Sequence, residues 1–138
     1  MRTLALTIIA VALSFQLEGA EAQYSSYVKT NRYDFKVTEA DMASTPVWKD
    51  QDDHPPLAAR KALGLARARL AQLVSDSKDW KLDSLSLQPW GDGSHWYYLA
   101  VFTAPAPSDR VYIGRPVDMT IPVLMSGETV KPKVSAWP

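Results

Sequence analysis

One run of the chain, Leu57 to Val74, carries a helical period, and nearly every apolar run after it carries the period of a strand. At 100° per residue, Ala59, Ala62, Leu63, Ala66, Leu70, Leu73 and Val74 fall within an arc of about 120°, the width of a core-facing helix stripe. Arg60, Lys61, Gly64, Ala68, Ala71 and Gln72 fall on the other side. Three alanines in the stripe allow close approach to a sheet. Gly64 costs about 1 kcal/mol relative to alanine in a helix interior, and marks either a close contact or an exposed weak spot. Ahead of this run, Asp50-Gln51-Asp52-Asp53-His54-Pro55-Pro56 reads as a helix start. Asp53 or His54 suits the N-cap, and Pro56 suits the first turn, where a missing N–H has no intrahelical partner. Ser75 to Asp79 ends the helix.

The strand signals follow. Asp83 to Gln88 places Leu85 and Leu87 on one face, and Gln88 to Ser94 reads as a hairpin loop with Gly91 and Gly93 free to take positive φ. His95 to Thr103 is the most apolar strand. Trp96, Tyr98, Ala100 and Phe102 alternate with Tyr97, Leu99 and Val101, so both faces need cover. After a Pro-rich loop, Val117 to Met125 and Glu128 to Val134 read as a last hairpin around Ser126-Gly127. Pro122 and Pro132 place its strands at sheet edges, because proline cannot donate to a ladder. Before the helix, Tyr33 to Thr38 alternates as a first strand, Trp48 plugs one end of the core, and the polar stretch Gln23 to Asn31 reads as a flexible lead-in. The expected fold is α+β: one long helix on an antiparallel sheet of three to four strands.

The beginning of the chain reads as a targeting segment. Met1-Arg2 precedes an apolar run from Thr3 to Leu17, and Ala20-x-Ala22 fits the small-residue cleavage rule. We read 1–22 as a secretory signal peptide cut after Ala22. The run is shorter than the ~20 residues a membrane span needs, so no membrane attachment is expected after cleavage. The mature chain then holds an N-terminal segment, 23–53, and the helix with its meander, 54–138, with 33–53 joining the latter in one domain. It has no cysteine, which removes thiol nucleophiles and cysteine metal sites and suits a bacterial periplasm or cell exterior. The full chain balances 15 basic against 15 acidic residues, so there is no electrostatic case for nucleic acid.

Few residues offer chemistry. His54 precedes two prolines, His95 opens a strand, and no G-x-S-x-G turn is present; hydrolysis through a Ser–His–Asp arrangement has no support. Asp50, Asp52, Asp53 and His54 lack the glycine turn and distal glutamate of a calcium loop. No cofactor and no metal are expected, and the chain reads as no enzyme. The aromatics are more informative. Trp90, Trp96, Tyr97 and Tyr112 gather around the first hairpin and the loop after it, and such residues are favoured at interfaces. They are the candidate binding residues of a periplasmic or secreted, non-catalytic module for a protein or peptide, monomeric or a homodimer. Alternatively, the N-terminal tyrosines Tyr24, Tyr27 and Tyr33 fold back over the second sheet face. The rival function is a small ligand carrier or enzyme with a pocket between helix and sheet. Trp48, Trp80 and Trp96 would line that pocket, and His95 or Asp92 would act in it.

From Ala58 to Pro132 the chain resembles small periplasmic domains of the PepSY type, in which an Ala-rich helix leads into a strand meander ending at a glycine turn, here Val123-Leu124-Met125-Ser126-Gly127-Glu128-Thr129-Val130. The outline is similar to cystatin-like folds too, although Gln88-Pro89-Trp90-Gly91 is not the Q-x-V-x-G hairpin of cystatins and the last hairpin has no Pro-Trp pair. The resemblance implies a non-catalytic binding or inhibitory module.

Overall fold

The computed structural model describes residues 20–107 and 114–138. The fold is α+β, with two antiparallel three-stranded sheets and one helix of fifteen residues. The first sheet is β1 (Glu21–Val28), β2 (Asn31–Thr38) and β6 (Lys133–Ala136), in the order β1-β2-β6. The second is β3 (Lys81–Trp90), β4 (His95–Thr103) and β5 (Asp118–Leu124), in the order β3-β4-β5. A short helix α1 (Glu39–Ala43) follows β2, and α2 (Ala59–Leu73) leads through a 3₁₀ turn, Ser77–Asp79, into β3.

Strand β5 holds the two sheets and α2 together. Met119, Ile121 and Val123 are fully buried beneath α2 and the first sheet, Leu124 and Met125 nearly so, and β5 touches α2, β1, β2 and β4. A buried strand must satisfy the backbone groups on the side that faces no neighbour strand. The outward N–H positions of β5 at residues 120, 122 and 124 have three different solutions. The N–H of Thr120 donates to the Ser26 hydroxyl at 3.1 Å, and Ser26 is itself 1% exposed. Pro122 has no N–H, and its carbonyl accepts from Val130 N at 3.2 Å. The N–H of Leu124 donates to the Glu128 carbonyl at 2.8 Å.

The helix meets β4 and β5 through Ala62, Ala66 and Leu70, which are buried, with Leu63 and Leu73 partly so. It starts two residues later than its periodicity suggests, and neither Asp53 nor His54 caps it. Ala58 is the N-cap and makes no side-chain cap bond. Leu57 stands outside the helix, is 5% exposed, and gives its carbonyl to the Tyr98 hydroxyl at 2.7 Å. That tertiary anchor outcompetes the local acidic cap. Ala59, counted in the stripe, is exposed.

Three further expectations are corrected. Gln23 to Val28 is not a lead-in but most of β1, paired with β2 from Glu21↔Thr38 to Val28↔Asn31. Its mixture of serine and tyrosine side chains hides a strand that buries Ser26 and Val28. The cut expected after Ala22 would fall inside that strand, between its second and third residues. There is not one sheet but two, because β1 supplies the missing third strand. The segment after Gly127 does not form a long hairpin with β5: a single bridge, Val123↔Thr129, is followed by departure to β2, where Tyr33 pairs with Val134. Trp48 does plug the core, 9% exposed and edge-on to Trp96 at 5.4 Å.

Removing the Ser26 hydroxyl leaves the Thr120 N–H buried without a partner, so Ser26→Ala should lower the unfolding free energy by about 1–3 kcal/mol, read from urea melts. A Cβ at Gly64 would meet nothing within 4 Å, so Gly64 is an exposed weak spot. Gly64→Ala should raise stability by about 1 kcal/mol in the same assay.

Candidate binding groove

Because α2 crosses β4 and β5, the inner face of β3 lies at the rim of the helix rather than beneath it. Leu82, Leu85 and Leu87 all point to the helix side, as their pairing with Phe102, Ala100 and Tyr98 shows, yet each is partly exposed. Between them and the N-terminal turn of α2 runs a groove of about 460 Å³. Leu85, Leu87 and Tyr98 line its floor, Ala58 and Ala59 one wall, and His54 and Pro55 the lip. The small side chains of Ala58 and Ala59 keep that wall set back. Arg60, in the first turn of α2, and Arg67, over the Phe102 ring at 5.4 Å, stand on the same helix, and no acidic residue lies between Asp53 and Asp76.

The register of the second sheet decides which backbone groups β3 offers. Pro122 gives its carbonyl away from β4, to Val130, so its partner Leu99 turns its own groups toward β3, opposite Ser86. Successive residues of a strand point their N–H and C=O to opposite sides. Leu85 and Leu87 therefore present theirs to the open edge, and Pro89, with no N–H, lies in the same phase. Among the described residues β3 pairs with β4 alone.

The aromatic residues singled out from the sequence occupy three environments. Tyr97 is core, 3% exposed, not surface. It packs with Val37, Met42 and Leu124, lies edge-on to Trp90 at 6.3 Å, and shares a short hydrogen bond with the Tyr24 hydroxyl. The N-terminal segment does fold over this face, but through Ala22 and Tyr24. Tyr33 is buried on the helix side and Tyr27 points to solvent. Trp90 is half-buried, its indole N–H donating to Glu39 at 3.1 Å. Trp96 lies on the groove side of β4, its indole N–H donating to the Gly93 carbonyl at 2.8 Å. Tyr112 lies outside the described residues.

The pocket imagined between Trp48, Trp80 and Trp96 is not assembled. Trp48 and Trp96 pack on each other at one end of the second sheet. Trp80 is buried at the other end, donating to Asp76 at 2.9 Å beside a cleft of about 490 Å³ that Tyr33, Leu73 and Val117 help to line. His95 is engaged with Thr45, whose hydroxyl donates to the Met42 carbonyl at 2.8 Å and so accepts from the imidazole Nδ1 at 3.2 Å. Asp92 is held below the usual carboxylate range by the Ser94 hydroxyl and backbone N–H. Both residues are structural in the hairpin. The sequence singled out Leu85 and Leu87 as a strand face but gave no reason to see them as a groove; their half-exposure arises from where α2 lies.

No family model matches the chain, and no curated protein or solved structure does. Among the described residues no helix is long and apolar enough to cross a membrane.

Burial, and then the hydrogen bond with Tyr24, raise the Tyr97 pKa above the usual value of 10.0. The unfolded chain therefore ionises this group first as pH rises. The stability it contributes is complete below about pH 10 and is lost as pH climbs from there toward the folded-state value. Thermal melts between about pH 9 and 11 should show a steeper loss for the native protein than for Tyr97→Phe.

Proposed function

We propose that the chain is a secreted or periplasmic, non-catalytic binding module that captures an extended peptide segment by strand addition along β3. The observation that carries this reading is the edge itself. Ten residues of β3 form a sheet margin whose outward N–H and C=O groups at Leu85 and Leu87 run alongside an apolar groove that includes these two residues in its lining. An added strand gains affinity from main-chain hydrogen bonds and selectivity from alternate side chains that enter pockets. The groove offers one such pocket between Leu85, Leu87 and Tyr98. The leader-like first 22 residues support export, and the cysteine-free chain fits the periplasm. Structural engagement of His95 and Asp92 supports the non-catalytic reading. The PepSY-like and cystatin-like outline, a helix crossing an antiparallel sheet, points to the same class of module.

The test starts from peptides selected on the native protein out of a random peptide library displayed on phage. Their binding should protect the amides of Leu85 and Leu87 from hydrogen exchange. Leu87→Pro removes one outward N–H while leaving the β3–β4 ladder intact, and should weaken the selected peptides at least ~10-fold. Its melting temperature identifies any general loss of fold. Peptides that bind the folded variant as tightly as the native protein would rule out strand addition at β3.

A further inference from the structure

The outer face of the first sheet carries a feature the peptide groove does not use. Outward residues there are Glu21, Gln23, Ser25 and Tyr27 on β1, Arg32, Asp34, Lys36 and Thr38 on β2, and Lys133 and Ser135 on β6. None is aliphatic. Tyr27 is 43% exposed and Trp137 46%. The two rings meet edge-to-face at 4.6 Å, and the Arg32 guanidinium lies over the Tyr27 ring at 5.7 Å. Trp137 is not a loose end: its backbone N–H donates to the Thr30 carbonyl at 2.7 Å, which sets the indole against the β1–β2 turn.

Beside the rings lies a fixed polar array. Asp34 accepts from the Ser25 hydroxyl at 2.6 Å and from Arg32 Nε at 2.8 Å. The Ser25 hydroxyl first, and Arg32 after it, hold the Asp34 carboxyl below its usual range. Since Arg32 meets Asp34 through Nε, its two terminal nitrogens are the ones placed to meet a ligand. Lys36 lies 3.6 Å from Glu21. Lys133, opposite Asp34 in the register, leaves the outward residues with one more cation than anions, and Lys29 and Lys131 at the sheet's ends add to the same sign.

We infer that this face is a second binding site, for an anionic polysaccharide. A pyranose ring has an apolar C–H face, which an exposed indole or phenol can cover, and a hydroxyl rim that suits fixed donors and acceptors such as Ser25, Asp34 and Gln23. Its carboxylate or sulfate groups meet Arg32 and Lys133, where a guanidinium binds planar oxyanions in two-pronged fashion. Nucleic acid shares the taste for rings and cations, but its affinity rests on many phosphate contacts, and the outward residues of this face supply three cations in all, Arg32, Lys36 and Lys133. A membrane surface needs apolar side chains to insert, and the face has no aliphatic ones.

Affinity gel electrophoresis of the full chain tests this, with polygalacturonate as the carboxylated probe, dextran sulfate as the sulfated one and unmodified dextran as the neutral one. At least one anionic polymer should retard the protein, and dextran should not. Trp137→Ala and Tyr27→Ala should each weaken that retardation about 10-fold with unchanged melting temperatures. Leu87→Pro should leave it intact, which separates this site from the peptide groove. The inference is overturned if neither anionic polymer retards the protein or if dextran does so equally. It is overturned too if the two ring variants are retarded as strongly as the native chain, since bare charge would then account for the effect, or if a single-stranded oligothymidylate is the preferred polymer.

Discussion

The structure depends on hiding a strand whose far edge has, among the described residues, no strand partner. β5 is buried beneath α2 and the inner side of the first sheet, and a buried amide without a partner costs about 1–3 kcal/mol. Three different devices remove that cost. A buried hydroxyl, Ser26, is lent by β1; a proline deletes the donor at position 122; and a short return of the chain after Gly127 meets Leu124. The Ser26 contact has the widest consequence, because it links the two sheets through hydrogen bonding as well as packing. Without it, β1 and β5 would be two edges pressed together.

That arrangement explains why the periphery looks as it does. With α2 and the first sheet both committed to β5, cover is concentrated on one half of the second sheet. The other half, along β3, keeps its leucines at the margin of the helix and its backbone edge open. An exposed edge is a template for adventitious pairing, and this one carries familiar restraints: a register shift around Asp83, and Pro89 near the hairpin. Between them, Leu85 and Leu87 remain able to pair. The hairpin aromatics serve the opposite purpose. Trp90, Trp96 and Tyr97 are spent on Glu39, Trp48 and Tyr24, and they stiffen the strand pair that presents the groove.

Much of the fold was legible in the chain. The helix, the β3–β4 pair and β5 announce themselves through periods of 3.6 and 2, and the restriction of Pro122 to an edge follows from its missing N–H. The first strand was not legible, because Gln23 to Val28 mixes serines and tyrosines in a pattern that satisfies a disordered terminus equally well. What makes it a strand is the buried role of Ser26, and a buried serine has no periodic signature. The same holds for the helix start. Acidic residues and prolines at 50–56 offered a local cap, yet the hydrogen bond from Tyr98, forty-one positions away, holds Leu57 outside the helix.

By itself, then, the sequence determined the class of fold, the apolar faces of β2, β3, β4 and β5 and the absence of cysteine chemistry, since these follow from side-chain type and spacing. The tertiary structure alone decided which faces remain open. Trp96 and Tyr97 are adjacent in sequence and both packed inward, on opposite faces of β4, while Tyr27 and Trp137, at the two ends of the chain, meet on one exposed surface. Exposure depends on what lies across a face, and that neighbour is chosen by the whole chain: here by a strand that had to be covered, and by the serine that made covering it affordable.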